Sequence, residues 1–281
     1  MVPVASIACM AVSAVVGVGL PVGLFLGLRK RLSLQVVPMI VGVAVFVLFA
    51  MVLEQTLHMV VLRPQPDGTM ALRDNNPALY VLYGIFAAGI FEETGRLVAF
   101  LALKRFFKGV RTAVSYGIGH GGIEAILLLS LPMVSDIVLS MVINADPNGQ
   151  IASALPAATR YALVGTAPAY FLVGGGERIL AIAIQLSLSL LVWIAVTHKG
   201  RWWLFPLAIL LHAVCDTPAA IAQTGHLSVG LTEGVTAVAA VAVSAYALWW
   251  FRRCRAEEIA PPLPYYQPPA AADFAGPWRA N

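Results

Sequence analysis

The sequence is poor in charged residues and in cysteines. Only 11% of its 281 residues are Asp, Glu, Lys or Arg, against about a quarter in an average soluble protein. The three cysteines lie far apart and form no CxxC pair, which argues against a disulfide framework and against a zinc clip. The chain also lacks an HExxH motif, a repeat of fixed period and a polar stretch long enough to fold as a separate soluble domain. Any chemistry must therefore take place within its apolar part.

Apolar residues make up 59% of the chain and give it a mean hydropathy of +0.83. This composition is typical of an integral membrane protein. Because a helix needs about 20 apolar residues to cross the hydrocarbon core, we predict an all-α, polytopic transmembrane bundle of seven to nine spans. Seven of them lie near residues 4–28, 34–62, 78–103, 112–131, 178–197, 203–223 and 231–251. The segment 132–176 is left open, since Pro168 and three glycines interrupt it.

Basic residues mark the ends of alternate spans, in clusters at residues 29–31, 104–111, 198–201 and 252–255. By the positive-inside rule all four clusters are cytoplasmic. This predicts a multi-pass protein of the plasma membrane with its N-terminus outside and its C-terminus inside, provided that 132–176 crosses an even number of times. Since the net charge of +4 serves orientation, we expect no nucleic-acid partner. Residues 1–255 are predicted to form the transmembrane domain and the proline-rich residues 256–281 a disordered cytoplasmic tail.

Three predicted spans carry ionisable residues near their middle, where a charge costs about 2.5–3.5 kcal/mol on insertion scales. These residues are Glu92, Glu93 and Arg96 in the third span, His120 and Glu124 in the fourth, and His212 and Asp216 in the sixth. Within each span two of them are four positions apart and share one helix face. Three polar faces at one depth can satisfy one another only by converging. We therefore predict one polar cavity inside the membrane, lined by these residues.

Some of these polar residues also have a structural interpretation. Arg96 can act as counter-ion to either glutamate of its span, and Asp216 can bond backbone groups that Pro218 leaves free. Glu177, at the start of the fifth predicted span, fits a helix cap. Gln185 in the same span fits either a hydrogen bond between helices or the lining of the cavity.

The remaining histidines are interpreted as unrelated to this cavity. His58 lies four residues after Glu54, near the outer end of the second span, which favours an interfacial position for both. His198 and His226 fall in predicted loops and are expected to be solvated.

Two histidines and several carboxylates in a confined polar cavity suit hydrolysis. A carboxylate can deprotonate water, one imidazole can orient that water or protonate the leaving group, and the other imidazole with Asp216 can stabilise an oxyanion. The same cavity can bind a metal, because two imidazoles and a carboxylate, with one position left for water, form a common catalytic zinc set. The metal ligands would then be His120, His212 and Glu124. Zinc-dependent and metal-free hydrolysis both remain open at this point.

Three motifs, FEETGR at residues 91–96, GIGHGGIEA at 117–125 and LHAVCD at 211–216, together resemble the YhfC-like intramembrane protease family. That family belongs with the type II CAAX prenyl proteases and the PrsW-like proteases. The stretch GERxxAxxxQ at Gly176–Gln185 is similar to a feature of the YhfC-like branch. The resemblance implies a CAAX-protease-like intramembrane fold, contact with membrane lipid, and cleavage of a membrane-anchored peptide or protein.

Carried over to these positions, the resemblance implies that Glu92 or Glu93 activates the attacking water with His120 beside it. It further implies that His212 and Asp216 form the oxyanion side of the site. Glu124 departs from the pattern of the CAAX prenyl proteases by adding a carboxylate to the histidine helix. This departure leaves open whether the branch uses a metal or glutamate alone.

Two other functions fit the same residues. Buried carboxylates and histidines can form the relay of a proton- or cation-coupled transporter, and the interrupted segment before residue 178 is of a kind that is frequent in transporters. The lack of an internal repeat argues against this function. A non-catalytic membrane partner is the third alternative, which the presence of every motif position disfavours.

Overall fold

The computed structural model describes residues 1–65 and 68–259, and the regular elements of that part of the chain are all helices. The helices are α1 (Val4–Leu32), α2 (Val36–Phe46), α3 (Gln55–Val61), α4 (Ala71–Asn75), α5 (Pro77–Leu103), α6 (Val110–Ala125), α7 (Leu131–Ala145), α8 (Gln150–Ala154), α9 (Ala157–Gly165), α10 (Tyr170–Thr197), α11 (Leu204–Ala222) and α12 (Val229–Ile259). Two π-helical stretches, Val47–Glu54 and Ile126–Ser130, join α2 to α3 and α6 to α7. The predicted class, a helical membrane bundle, is confirmed.

The number of apolar spans is lower than predicted. Within the described residues six helical segments are long and apolar enough to cross a membrane, namely Val4–Leu32, Val36–Val61, Val110–Ala145, Tyr170–Thr197, Leu204–Ala222 and Val229–Cys254, against the seven to nine expected. The predicted span absent from this set is α5. This helix is 27 residues long, but Glu92, Glu93 and Arg96 near its middle lower its hydropathy. It nevertheless lies inside the bundle, in contact with α11, α10 and α2.

The segment 132–176, which the sequence left open, contains no helix of its own that could span the membrane. α7 continues the fourth predicted span as far as Ala145, and α8 and α9 are only five and nine residues long. Pro168 lies just before α10, whereas the three glycines lie within that helix. The interruption is therefore a surface connection between two long helices.

The basic clusters lie at one end of the bundle. Arg31, Lys108 and Arg111 line one cavity together with Phe251 from α12. Lys104 Nζ donates a hydrogen bond to the carbonyl of Val196 at 3.1 Å. The positive-inside rule makes this the cytoplasmic end, and the orientation stays a prediction. α12 continues to Ile259, and the remainder of the predicted tail lies outside the described residues.

α6 is the most enclosed of the long helices, with nearly every side chain buried. It contacts α2 at backbone distance: a Cβ on Gly42 would lie 2.2 Å from the Tyr116 carbonyl oxygen, and one on Gly119 would lie 2.0 Å from that of Met39. No side chain fits at either position, so both glycines are needed for this approach. The close contact carries His120 into the centre of the bundle.

Candidate active site

The polar face of α5 is buried. Glu93 and Arg96 have no exposed surface, and Glu92 is 7% exposed. Arg96 Nη1 donates a hydrogen bond to Glu93 Oε1, whereas Arg96 Nη2 lies 3.8 Å from Glu92 Oε2. Arg96 is thus the direct counter-ion of Glu93 and a more distant neighbour of Glu92.

The two adjacent glutamates contact histidines on two different helices. His120 Nε2, on α6, lies 2.9 Å from Glu92 Oε2, and His212 Nδ1, on α11, lies 2.8 Å from Glu93 Oε1. Because an ionised carboxylate only accepts hydrogen bonds, each histidine donates through its ring N–H. The structure therefore contains two Glu–His pairs, Glu92–His120 and Glu93–His212, side by side.

Asp216 lies next to the second pair. Its Oδ2 is 3.3 Å from His212 Nε2, so each nitrogen of the His212 ring faces a carboxylate. His212 Nε2 is also 4.0 Å from Glu92 Oε1. Asp216 thus pairs with the histidine one helical turn earlier, where the sequence also allowed a bond to backbone freed by Pro218.

Gln185 on α10 connects the polar groups of three helices. Its Nε2 donates to Glu92 Oε2 at 2.9 Å and to Glu124 Oε2 at 2.7 Å, while its Oε1 accepts a hydrogen bond from Arg96 Nη2. The sequence left Gln185 undecided between a bond linking helices and cavity lining, and the structure shows both. The only sequence signal for it was its place at the end of GERxxAxxxQ.

Glu124 is held by two donors. Its Oε1 accepts from Arg178 Nη1 at 2.8 Å and its Oε2 accepts from Gln185. Arg178 Nη2 donates in addition to Glu177 Oε1 at 2.6 Å. Because α10 begins at Tyr170, Glu177 does not cap a helix as the sequence suggested, but forms an ion pair within it.

A zinc site needs three or more ligand side chains close enough to bind one ion. The part of the chain that the structure describes contains no group of three or more His, Cys, Asp or Glu side chains placed to hold a metal ion. The predicted ligands His120, His212 and Glu124 are not assembled as such a group. Both oxygens of Glu124 already accept hydrogen bonds from Gln185 and Arg178. The residues as arranged do not fit a three-ligand zinc site.

A cavity of about 530 Å³ opens beside these residues, between α5, α6, α10, α11 and α12. We call it the reaction cavity. Its lining includes Glu92, Glu124, Gln185, His212 and Asp216. Glu93 is not among the lining residues. Of the two adjacent glutamates, Glu92 is therefore the one that a molecule in the cavity can touch.

Tyr116 is a site residue that the sequence reasoning missed. Its hydroxyl lies 3.4 Å from His120 Nδ1, and its ring stacks on the imidazole at a centroid distance of 5.6 Å. Phe46 contacts the same imidazole edge-on at 5.1 Å. These aromatic neighbours hold the ring with Nε2 toward Glu92. The available signal was Tyr116 being four residues before His120, on the same helix face.

Comparisons with known proteins identify the family of this chain. The family described as YhfC intramembrane metalloprotease matches residues 16–237. The chain is 34% identical over 256 residues to a Bacillus subtilis (strain 168) protein described as "Uncharacterized membrane protein YhfC", covering 88% of this chain and 96% of that protein. No solved structure matches. The chain belongs to the YhfC family of integral membrane proteins, whose description names a metalloprotease.

Proposed function

We propose that this protein is an intramembrane endopeptidase, which hydrolyses a peptide bond of a membrane-associated substrate. The observation that carries the proposal is the pair of Glu–His contacts, Glu92–His120 and Glu93–His212, held on three helices at the wall of a cavity about 530 Å³ in volume. The description of the family as a protease supports the same reaction. Burying these charged groups costs free energy that a purely structural bundle would avoid.

Glu92 is the general base. It lines the reaction cavity, and His120 and Gln185 fix its Oε2, which leaves Oε1 to face the cavity. Glu92 takes a proton from water, and the resulting hydroxide oxygen bonds to the scissile carbonyl carbon. The proton then passes from Glu92 to the departing amide nitrogen as the C–N bond breaks.

His212 stabilises the oxyanion that forms during this attack. Its Nε2 is 4.0 Å from Glu92 Oε1, so a substrate carbonyl can lie within reach of both groups. Glu93 at Nδ1 and Asp216 at Nε2 favour a ring that carries an N–H on both nitrogens. Such a ring can donate a hydrogen bond to developing negative charge on the carbonyl oxygen.

The mechanism uses only side chains of the chain. The family description names a metal, but the described residues form no three-ligand group, and we assign no step to a metal.

Cleavage of membrane-anchored peptides by the purified protein tests the proposal. We compare the parent with Glu92→Gln, which keeps the shape of the side chain and removes its basicity. Asp136→Asn is the matched control, because it makes the same carboxyl-to-amide change in a membrane helix away from the cavity. We expect Glu92→Gln to lose at least about a hundredfold in kcat and Asp136→Asn to cleave like the parent. Metal content is measured on the same samples.

Three outcomes contradict parts of the proposal. Equal cleavage by the parent and Glu92→Gln removes Glu92 as the base. Stoichiometric zinc that is lost together with activity on chelation shows that the side-chain mechanism is incomplete. If the parent cleaves none of the membrane-anchored peptides but transports a labelled ion or solute in proteoliposomes, the protein is a transporter and not a protease.

A further inference from the structure

A second cavity, lined by both polar and apolar side chains, lies between α3, α5 and α11, next to the reaction cavity. Its volume is about 290 Å³, and its lining includes His58, Tyr80, Tyr83, Gln223 and Asp216. We call it the vestibule. It shares Asp216, Ala219 and Gln223 with the reaction cavity, so the two meet along one face of α11. A peptidase that works inside a membrane needs one water molecule per bond broken, and hydrocarbon does not supply it.

The vestibule follows a stripe of α5 residues that ends one helical turn before Glu92. Tyr80, Gly84 and Ala88 line it, and Glu92 is the next residue of that four-residue spacing. At 1.5 Å per residue the stripe covers about 18 Å from Tyr80 to Glu92. Tyr80 is only three residues into α5, which starts at Pro77. The vestibule therefore begins near the end of the helix and reaches the depth of the site.

α11 forms the opposite wall with a similar stripe. Asp216, Ala219, Ala220 and Gln223 line the vestibule, and Gln223 is the residue directly after α11. The Tyr80 hydroxyl donates a hydrogen bond to Gln223 Oε1 across the two helices. Small side chains in the middle and polar ones at both ends describe a passage with space for water.

His58 and Tyr83 contribute a third wall. Glu54, which pairs with His58 behind this wall, is only 6% exposed, a burial within the bundle that the sequence did not predict. His58 Nε2 lies 3.2 Å from Glu54 Oε1, and His58 Nδ1 lies 2.8 Å from the Tyr83 hydroxyl. Glu54 ends the π-helical stretch Val47–Glu54, and π-helical turns are frequent at functional sites.

We propose that the vestibule is the water entrance of the enzyme, separate from the reaction cavity that receives the peptide. The inference rests on the proposed function and adds the path of the second reactant to it. Water enters at Tyr80 and Gln223, passes Gly84 and Ala88, and reaches the site at Asp216. His58 and Tyr83, which are hydrogen-bonded to each other, supply polar groups along this path.

Cysteine labelling tests the path without requiring cleavage. In a background with Cys9, Cys215 and Cys254 replaced by Ala, Ala88→Cys is compared with Ile90→Cys. Ile90 is two residues away on the same helix but 48% exposed on the outer surface of the bundle. Both proteins are placed in lipid nanodiscs and treated with a charged, water-soluble methanethiosulfonate. We expect Ala88→Cys to react at least about tenfold faster, because the reactive thiolate forms only where water reaches the sulfur.

A bulky side chain placed inside the vestibule gives a second test of the water path. A Cβ on Gly84 meets nothing within 4 Å, so a side chain can start at this position, and Gly84→Phe is designed to place its ring in the vestibule. Gly23→Phe is the control, since a Cβ on that exposed glycine of α1 also meets nothing within 4 Å. In the Ala88→Cys protein, Gly84→Phe should slow labelling about tenfold. In the otherwise unchanged enzyme, Gly84→Phe should lower kcat by a similar factor and leave KM unchanged. Gly23→Phe should change neither.

The results separate the two proposals. Equal labelling of Ala88→Cys and Ile90→Cys, or labelling that Gly84→Phe does not slow, overturns the water entrance even if the enzyme cleaves peptides. If Ala88→Cys is labelled fast and Gly84→Phe blocks this labelling, the water entrance is supported even if none of the membrane-anchored peptides is cleaved. In that case only the proposed peptidase activity fails.

Discussion

Glu92 and Glu93 are neighbours in the chain but lie in two different regions of the site. Glu92 belongs to the wall of the reaction cavity, with His212 and Asp216. Glu93 belongs to an enclosed layer with Arg96, where neither residue has exposed surface. Successive residues of a helix point about 100° apart, so one residue can face a cavity while the next is buried against another helix. We assign the proposed chemistry to the wall, and the enclosed layer holds the wall in place.

The largest effect on stability is expected from breaking the enclosed layer. Glu93→Gln removes the charge that neutralises Arg96 and leaves a buried guanidinium with only a distant carboxylate. We expect it to lower the free energy of unfolding by about 3–5 kcal/mol, as loss of one partner of a buried ion pair does. Glu92→Gln should cost much less, because its carboxylate faces the cavity. Reversible unfolding in mixed micelles measures both.

A Glu93→Gln variant as stable as Glu92→Gln would show that the two regions are energetically alike. The rate of peptide cleavage should rank the two variants in the opposite order to their stability. Glu92→Gln should keep its stability and lose activity, whereas Glu93→Gln, where it folds, should retain more cleavage than Glu92→Gln.

An intermediate effect is expected where the two regions are joined. Gln185→Leu keeps the approximate size of the side chain but removes the hydrogen bonds to Arg96, Glu92 and Glu124. Buried polar groups left without a partner cost about 1–3 kcal/mol, so unfolding free energy should fall by that amount and kcat should fall with it. Ser189→Ala, one turn further along α10, removes only a bond within its own helix and is the matched control. A Gln185→Leu enzyme indistinguishable from Ser189→Ala would contradict the linking role.

The smallest effect is expected at the outer edge of the network. Glu177→Gln removes an ion pair whose carboxylate side chain is 39% exposed. Such pairs contribute about 0–1 kcal/mol because water screens them. Arg178→Gln should cost more than Glu177→Gln, since Glu124 is more buried and loses one of its two donors. The free energy of unfolding, measured at low and high salt, should show a salt dependence for the Glu177 pair. A larger loss of unfolding free energy for Glu177→Gln than for Arg178→Gln would contradict this order.

The site residues named from the sequence could be found because they are exceptions in apolar spans. A glutamate or histidine in a long apolar run is expensive, so Glu92, Glu93, His120 and His212 stand out without any knowledge of their neighbours. Tyr116 carries no charge and is ordinary in a membrane helix, so its importance was not predictable, whereas the polar Gln185 was noticed but its role was left open. The burial of Glu54 was missed because position along a span does not tell which side of the helix faces the bundle.

The number of membrane spans was harder to predict from the sequence than the fold class. Hydropathy identified the apolar helices, but the buried charges of Glu92, Glu93 and Arg96 lower the hydropathy of α5. The long connection at 132–176 was ambiguous because its apolar piece, residues 135–143, is the continuation of a helix already counted. Only the structure shows that α7 extends the preceding span as far as Ala145.

By itself the sequence determined that this protein is a helical membrane bundle and which ionisable residues interrupt the middle of its spans, and its motifs carried the resemblance to the YhfC family. The first two follow from local properties, namely the length and periodicity of single apolar helices and the cost of charge in hydrocarbon. Only the tertiary structure decided that Glu92 lines the cavity while Glu93 pairs with Arg96, that Gln185 joins three helices, and that Glu54 is buried beside the vestibule. These facts depend on the rotation and distance between helices, which backbone contact at Gly42 and Gly119 fixes and which no single-helix pattern contains.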